Sequence, residues 1–448
     1  MKTDKYRRLL SCCPSLLDAA DKTANDMNED LQNNIPAQVT AYVTAPVLFC
    51  YVSYILDSVK KKNINRIFFL SRDGYILKQI ADIIIERKKL KIQTSYLYVS
   101  RYSLRNALYY KCETAEDFEN AGLFTGYTLK STKNFLKRAG LDDRQRAEVY
   151  EKIGFSDDEN KDLSDSEYSA FFEKIKNDSA LLCKIKNNSE NNYHNIMKYF
   201  EQSGLFEKGK IAVVDSGWMG TVQKTLTALV NGRTDDNIIG YYFGLYRRED
   251  DNYKAFLFDV TDAYKYVPTF CNNLFECFCS APHGMTTGYS ECDGKIIPVL
   301  SGANAEMVKM AEIQTKTAVG FTKYACENEN YIPICKMRDI SARLLKALMY
   351  KPDKQEAEIL GAFPFSDDVT EAKIQRLAGN CKGSISNILL PVRIIRKKKG
   401  KSIYPDKYIY WLYGSIVLTD CKPAWVYRLS VREWRSEERR VGKECRSR

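Results

Sequence analysis

Two short polar segments of this chain carry residue types that bind phosphate groups and divalent cations. The first is residues 71–74 (SRDG) and the second is residues 215–221 (DSGWMGT). Arginine is a forked donor for phosphate, and carboxylates bind hard cations such as Mg²⁺. In the second segment, two glycines three residues apart and a threonine predict a loop whose backbone amides hold an anion. The sequence therefore predicts an anion site formed by both segments.

The predicted site assigns a role to each polar residue of these segments. Asp73 and Asp215 are the candidate catalytic residues and the candidate ligands of Mg²⁺. The candidates for binding the phosphate or the rest of the ligand are Ser71, Arg72, Gly74, Arg101, Ser216, Gly217, Trp218, Gly220 and Thr221.

Simpler explanations stand beside these roles. Asp73 can serve only as a helix cap, and Gly74 only as the residue that permits a turn. Trp218 can stack on a base or sugar, or it can cover the loop against the core. Glu276 and His283 flank a later loop and are further candidates to complete the site.

Each polar segment follows a short apolar run and precedes an amphipathic stretch, within residues 66–85 and 210–230. This order predicts a buried parallel strand, a sharp turn and the start of a helix. In open α/β sheets, ligands bind at the carboxyl ends of such strands. We therefore expect an α/β protein with a mostly parallel, Rossmann-like sheet, a helical insertion and a helical C-terminal region.

Changes in charge density and in the spacing of apolar residues along the chain predict its domain organisation. Residues 1–35 read as a helical lead-in, residues 36–105 and 206–300 as the α/β core, and residues 106–205 as a helical insertion or cap. Residues 301–434 read as a mainly helical C-terminal region with a basic loop. The last segment, 435–448 (RSEERRVGKECRSR), has no apolar periodicity and reads as a non-native tail.

Composition limits the classes of function. Apolar residues make up 44% of the 448 residues and charged residues 28%, which is typical of soluble globular proteins. The net charge of +11 suits an anionic ligand and gives no specific sign of nucleic-acid binding. Only two histidines are present, which disfavours a histidine-rich metal site. Scattered cysteines, no signal peptide and no predicted transmembrane segment favour a cytoplasmic protein.

Four pieces of the chain resemble, in order, a bacterial family of predicted hydrolases of the haloacid dehalogenase superfamily. The pieces are FFLSRDGYIL, YLYVSRYSL, VVDSGWMGTVQ and ECFCSAPHGMTTGY, within about residues 36–300. Members often occur in surface-polysaccharide gene clusters, where this block commonly follows a phosphatase-like domain that this chain lacks. The resemblance implies a degenerate hydrolase or transferase that uses Mg²⁺ and acts on a phosphorylated small molecule or nucleotide sugar. It also implies polysaccharide biosynthesis enzymes as partners.

The same resemblance puts the usual covalent mechanism in question. Haloacid dehalogenase enzymes attack phosphorus with the first aspartate of an Asp-x-Asp motif, and Ser71 stands at that position here. Asp73 matches the second acid, and Asp215 is similar to the late acidic motif that helps to hold magnesium. A serine without an activating base cannot replace a carboxylate nucleophile.

Two other interpretations remain open. VVDSGWMGT is similar to the later loop of phosphoribosyltransferases, and SRDG is similar to their pyrophosphate loop. Ser216 stands where those enzymes usually have a second acid, and a helical insertion of about 100 residues lies between the two loops. Such enzymes need no covalent nucleophile, since they act by positioning and by charge stabilisation. The third interpretation is a non-catalytic scaffold for polysaccharide enzymes.

Overall fold

A five-stranded, all-parallel sheet carries both polar segments. The computed structural model describes residues 3–27, 29–125, 130–154, 163–234, 238–328, 331–366, 374–381, 385–399 and 410–432. Within them the central strands run in the order β2-β1-β3-β4-β5. Their bounds are β1 (Arg66–Leu70), β2 (Gln93–Leu97), β3 (Ile211–Trp218), β4 (Ile239–Leu245) and β5 (Tyr253–Phe258). The prediction of an α/β fold with a parallel sheet is confirmed.

Helices surround this sheet and account for most of the remaining described chain. They include α1 (Asp4–Leu10), α2 (Pro14–Asn25), α3 (Glu29–Gln32), α4 (Ile35–Val39), α5 (Ala45–Lys61), α6 (Gly74–Arg87), α7 (Arg101–Leu108), α8 (Ala115–Asn120), α9 (Thr132–Arg138), α10 (Asp143–Ile153), α11 (Asp165–Lys176), α12 (Ser179–Gln202), α13 (Thr221–Val230), α14 (Ala263–Tyr266), α15 (Asn272–Phe278), α16 (Ala305–Ala325), α17 (Ile334–Met349), α18 (Lys354–Gly361), α19 (Leu390–Lys398) and α20 (Leu412–Leu418). Two antiparallel pairs complete the strands: β6 (Thr286–Cys292) with β7 (Lys295–Leu300), and β8 (Pro364–Phe365) with β9 (Gln375–Arg376).

Both faces of the sheet are covered by helices, which explains its apolar strands. All five residues of β1 are buried, as are the first four of β3. Phe69 and Val214 join one core with α5 and α6, whereas Phe68 and Val213 join another with α12 and α13. Alternate residues of one strand thus enter different cores, as the two-residue period of a strand requires.

The segment between β2 and β3 forms a helical unit with a core of its own. Helices α8 to α12 contribute Phe118, Phe135, Phe171 and Ile185 to a cluster separate from the two sheet cores. Arg66 joins the end of this segment to β1, since its buried guanidinium donates hydrogen bonds to the carbonyl oxygens of residues 204 and 207. The insertion thereby returns the chain to the centre of the sheet.

One helix in the described part of the chain, Ile35–Lys61, is long and apolar enough to cross a membrane. It comprises α4, a π-helical turn (Thr40–Thr44) and α5. Its most apolar window is 94% buried inside the protein, which is also the property of a core helix.

The region after residue 300 is mainly helical where it is described. Helix α16 packs on α2 and α6, and α17 packs on α5. Most of the predicted basic loop, from residue 400 to 409, lies outside the described residues, as does the predicted non-native tail at 435–448.

Candidate functional site

The site lies where the sheet changes winding direction. β1 and β3 are neighbours at the centre of the sheet, and α6 and α13 follow them directly. Helix α6 packs in the core on one face, and α13 packs in the core on the other. Helices that leave adjacent strands toward opposite faces open a crevice at the carboxyl ends of those strands. Residues 71–74 and 215–221 come from these two strand ends.

Asp73 and Asp215 meet through one serine. The Ser216 hydroxyl, on β3, donates a hydrogen bond to Oδ2 of Asp73, which follows β1. The backbone N–H of Ser216 donates to Oδ1 of Asp215 at 2.9 Å. The two carboxylates are therefore gathered around Ser216, although 141 residues separate Asp73 from Asp215 along the chain. Both aspartates keep part of their surface exposed.

Asp73 occupies the N-cap position of α6 without capping the helix. Its side chain accepts no hydrogen bond from the first turn of α6, and it bonds instead across the sheet to Ser216. The simpler explanation of Asp73 as a helix cap therefore does not describe this structure. Helix N-termini favour negative charge, so the start of α6 adds a partial positive charge beside the carboxylates.

Burial and mutual repulsion shift the acidity of this pair. Burial raises the pKa of Asp73, although the Ser216 hydroxyl and the cations of Arg72 and Arg101 act in the opposite direction. Burial and the charge of Asp73 raise the pKa of Asp215 well above its usual range, and Glu276 adds to this effect. Two close carboxylates resist simultaneous ionisation, and a bound proton or cation relieves their repulsion.

Glu276 adds a third carboxylate to the neighbourhood. It lies on α15, and its Oε1 accepts a 2.5 Å hydrogen bond from the indole N–H of Trp218. The sequence indicated this residue only as a candidate near a loop. Trp218 ends the strand that carries Asp215, so this bond holds Glu276 at the same end of β3, and its charge contributes to the raised pKa of Asp215.

The two arginines differ in setting. Arg72 is half-buried beside Asp73, whereas Arg101 is exposed at the first position of α7. Ser100 and Ser103 form a capping box that fixes the start of α7. Both guanidinium groups are close enough to favour ionisation of Asp73. The crevice therefore contains two guanidinium groups, beside its two acids, that can bind phosphate oxygens.

Ser71 links β1 to the end of β2. Its backbone N–H donates to the carbonyl of Leu97 at 3.0 Å, and its hydroxyl donates to the carbonyl of Val99 at 2.6 Å. The hydroxyl also accepts from the N–H of Val99 at 3.0 Å. The Ser71–Arg72 peptide bond is cis. These contacts explain the serine as a strand-end bridge, and its predicted contact with a ligand stays a prediction.

Gly74 permits the close approach of α6 to β1. A Cβ atom at this position would lie 2.7 Å from the carbonyl carbon of Phe69 and 2.8 Å from its Cβ. Carbon atoms that are not bonded to each other do not approach this closely, so a larger residue would push the start of α6 away from the strand. Gly74 thus sets the position of the turn that carries Arg72 and Asp73.

The second polar segment differs from the predicted loop. Strand β3 continues to Trp218, and Gly217 pairs with Gly244 of β4, so only residues 219 and 220 separate β3 from α13. A Cβ at Gly217 would lie 2.3 Å from the Gly244 carbonyl oxygen. The prediction that residues 216–218 belong to the loop was wrong, because pairing with β4 keeps them in the strand.

The start of α13 is shaped by packing as well. Gly220 is the N-cap, with φ +63°, and a Cβ there would meet the ring of Tyr253 at 2.5 Å. Thr221 is the first helical residue and is half-buried. The predicted phosphate contacts of Gly217, Gly220 and Thr221 stay predictions.

Trp218 lies in the core and has only 7% of its surface exposed. Its ring packs against four aromatic neighbours, Tyr246, Phe258, Phe270 and Phe275. This setting corresponds to the alternative in which the tryptophan covers the segment against the core. Through its indole N–H it also fixes Glu276 beside Asp215.

Sequence reasoning missed an aromatic group beside the crevice. The rings of Tyr75, Tyr96 and Tyr98 surround His283, and all four side chains are half-buried. The alternation of tyrosines in YLYV, directly before the segment that carries Arg101, was the available signal. These residues lie close to Arg72, whose charge affects the pKa of Tyr96 and of His283.

The residues fit a loosely held cation better than a closed metal cage. Within the described chain, no group of three or more His, Cys, Asp or Glu side chains has the arrangement of a metal site. Mg²⁺ commonly binds through one or two carboxylates together with water and substrate phosphates. Asp73 and Asp215 supply that number of ligands, and a cation beside them would offset the repulsion from Asp73 that raises the pKa of Asp215.

Comparisons with known proteins add no family. No protein-family model matches this chain, and no curated protein matches it.

Proposed function

We propose that this protein binds a phosphorylated small molecule in the crevice between β1 and β3 and catalyses hydrolysis or group transfer at its phosphate. The convergence of Asp73 and Asp215 on Ser216 is the observation that carries this proposal. Two acids that meet at a switch point from distant parts of a chain, with perturbed pKa values, are typical of functional sites.

The chemistry follows from the charges of the crevice. Arg72 and Arg101 bind phosphate oxygens, aided by the amide groups at the start of α6. Asp73 and Asp215 are the carboxylates that would hold a cation, and burial and the charge of Asp73, which raise the pKa of Asp215, favour a positive charge beside them. When Mg²⁺ is bound by these two aspartates, it neutralises charge on the phosphate.

A covalent intermediate on Ser71 is not part of this proposal. Its hydroxyl donates a hydrogen bond to the carbonyl oxygen of Val99 and accepts one from the backbone N–H of Val99. Catalysis by positioning and by charge stabilisation needs no nucleophilic side chain. The proposed reaction is therefore a direct displacement: the oxygen of water or of an acceptor hydroxyl bonds to phosphorus while the bond from phosphorus to the leaving-group oxygen breaks. The proton of the attacking group passes to the leaving group or to solvent.

The biological setting is proposed from the motifs alone. A cytoplasmic role in bacterial surface-polysaccharide biosynthesis, together with enzymes of that process, agrees with the resemblance of residues 36–300. A nucleotide sugar or another phosphorylated precursor is the substrate class that such a role requires. The alternative is a phosphoribosyltransferase-like reaction in the same crevice.

One observation favours a second candidate function. Trp218 is buried and the glycines of the second segment are explained by packing, as expected of a protein whose site has become a structural scaffold. A scaffold predicts no binding of small phosphorylated ligands. Binding measurements therefore separate the two functions.

The test is calorimetric titration of the full chain with inorganic pyrophosphate, with and without Mg²⁺. We expect Mg²⁺-dependent binding, weakened at least about tenfold by Asp73→Asn and by Arg72→Met, because each removes a direct charge contact. Asp82→Asn is the matched control, since Asp82 lies on the same helix and pairs with Lys78 outside the crevice. Phosphoribosyl pyrophosphate, ADP and UDP are titrated in the same way. If neither pyrophosphate nor any of these ligands binds, or if the control weakens binding equally, the proposed function is wrong.

A further inference from the structure

The aromatic group beside the crevice forms a rigid wall next to the phosphate-binding residues. Tyr96 packs against Tyr75 and Tyr98, with ring centroids 5.7 and 4.9 Å apart and interplanar angles of 77° and 79°. His283 lies 5.1 to 6.2 Å from the rings of all three tyrosines. Edge-to-face contacts of this kind are the preferred arrangement of aromatic rings, and they fix each ring in place.

Hydrogen bonds hold His283 in one orientation and one tautomer. Its Nδ1 is 2.8 Å from the carbonyl oxygen of Gly284, which can only accept, so Nδ1 carries the proton. Nε2 then accepts from the hydroxyl of Tyr96 at 2.8 Å. Burial lowers the pKa of His283, which keeps the ring neutral. The imidazole is thereby part of the wall and has no lone pair left for proton transfer.

The wall is half-exposed and continuous with the charged crevice. Tyr75 follows Asp73 and Gly74 in the first turn of α6. Ser71, directly before Arg72, bonds to the backbone of Leu97 and Val99, the residues on either side of Tyr98, so the turn that carries Arg72 and Asp73 lies beside the rings. A ligand whose phosphate is bound at Arg72 therefore has aromatic surface within reach on the β2 side.

We propose that Tyr75, Tyr96, Tyr98 and His283 form a subsite that stacks the base of a nucleoside phosphate. This inference rests on the proposed function, because it assumes that the phosphate binds between Arg72 and Asp73. Flat bases stack on tyrosine and histidine faces, and the preformed arrangement of the rings lowers the ordering required on binding. The subsite assigns the substrate class: a nucleotide or nucleotide-linked compound.

The test compares ADP and UDP with inorganic pyrophosphate, each with Mg²⁺, by calorimetric titration of the full chain. Stacking predicts that at least one nucleotide binds about tenfold or more tightly than pyrophosphate, which corresponds to about 1.4 kcal/mol. Tyr98→Leu and, separately, Tyr75→Leu are expected to remove most of this ratio, because leucine keeps apolar bulk and lacks an aromatic face. Two variants at different positions guard against the loss of folding in one of them.

Tyr110→Leu is the matched control. Tyr110 lies in a similar group with Tyr193 and with the other histidine, His194, in the helical insertion. The control should retain the wild-type ratio.

Three outcomes overturn the subsite while leaving the proposed function intact. In the first, pyrophosphate binds the wild type as tightly as both nucleotides. In the second, the ratio of nucleotide affinity to pyrophosphate affinity is unchanged in both tyrosine variants. In the third, glucose 1-phosphate binds more tightly than pyrophosphate by the same factor as the nucleotides. Failure of pyrophosphate and of both nucleotides to bind the wild type would instead refute the proposed function itself, and the subsite with it.

Discussion

Replacing Ser216 with alanine removes the hydroxyl that joins the two halves of the crevice. This side chain is 2% exposed and donates to the carboxylate of Asp73. A hydrogen bond to an ionised group contributes about 1.5–3 kcal/mol, compared with about 0.5–1.5 kcal/mol for a bond between neutral groups. Little water reaches the position to replace the donor. We therefore expect Ser216→Ala to lower the free energy of unfolding by about 1.5–3 kcal/mol when Asp73 is ionised.

The loss should depend on pH in a defined direction. The Ser216 hydroxyl favours the ionised form of Asp73, so its removal raises the pKa of Asp73 further in the folded state. The wild-type pKa of Asp73 is already above its usual range, and the unfolded state titrates near the usual value of about 3.9. The variant is therefore least penalised below pH 4, and its deficit grows as pH rises through the raised folded-state pKa.

Urea denaturation at pH 4 and pH 8, followed by tryptophan fluorescence, measures this effect. Ser189→Ala is the matched control, because Ser189 is fully buried and donates to the carbonyl oxygen of Ile185, a neutral acceptor, at 2.8 Å. The control should show the same small change at both pH values. An equal loss for Ser216→Ala at both pH values, or a loss at pH 8 no larger than that of the control, would show that the Ser216 hydroxyl does not stabilise an ionised Asp73.

Two further changes probe the aspartate pair and the turn that carries it. The raised pKa of Asp215 makes its ionisation destabilising, so Asp215→Asn should become increasingly more stable than the wild type as pH rises above about 4. Urea midpoints of both proteins at pH 5 and pH 8 measure this difference. A difference in midpoint that stays constant or becomes smaller at pH 8 would contradict it. Gly74→Ala should lose about 1–3 kcal/mol of unfolding free energy because its Cβ would meet Phe69 at 2.7 Å, whereas Gly302→Ala, with no atom within 4 Å, should change little in the same urea assay. Similar losses in both glycine variants would show that the contact with Phe69 does not matter.

The strand–turn–helix units could be predicted because their causes are local. The apolar run 66–70, the glycine at 74 and the periodic stretch after it each favour the observed element without help from distant residues. The parallel sheet followed from two such units. Their adjacency, and hence the meeting of Asp73 with Ser216, depended on strand order, which no local pattern specifies.

The second segment shows where local reasoning fails. Residues 216–218 read as a loop because serine and glycine favour turns, yet pairing with β4 extends the strand to Trp218. The aromatic neighbours that bury Trp218 come from β5, α15 and nearby segments and could not be identified in advance. The wall around His283 was missed for a related reason, since its members come from α6, β2 and the loop after α15.

A crystal structure of the protein grown with Mg²⁺ and inorganic pyrophosphate tests the central claim most directly. We expect pyrophosphate density at the start of α6, in contact with Arg72, with a cation against Asp73 and Asp215. Density confined to another basic surface, such as the cavity of about 560 Å³ lined by Arg87, Lys316 and Lys323, would contradict it. A crevice left empty at saturating pyrophosphate would contradict it equally.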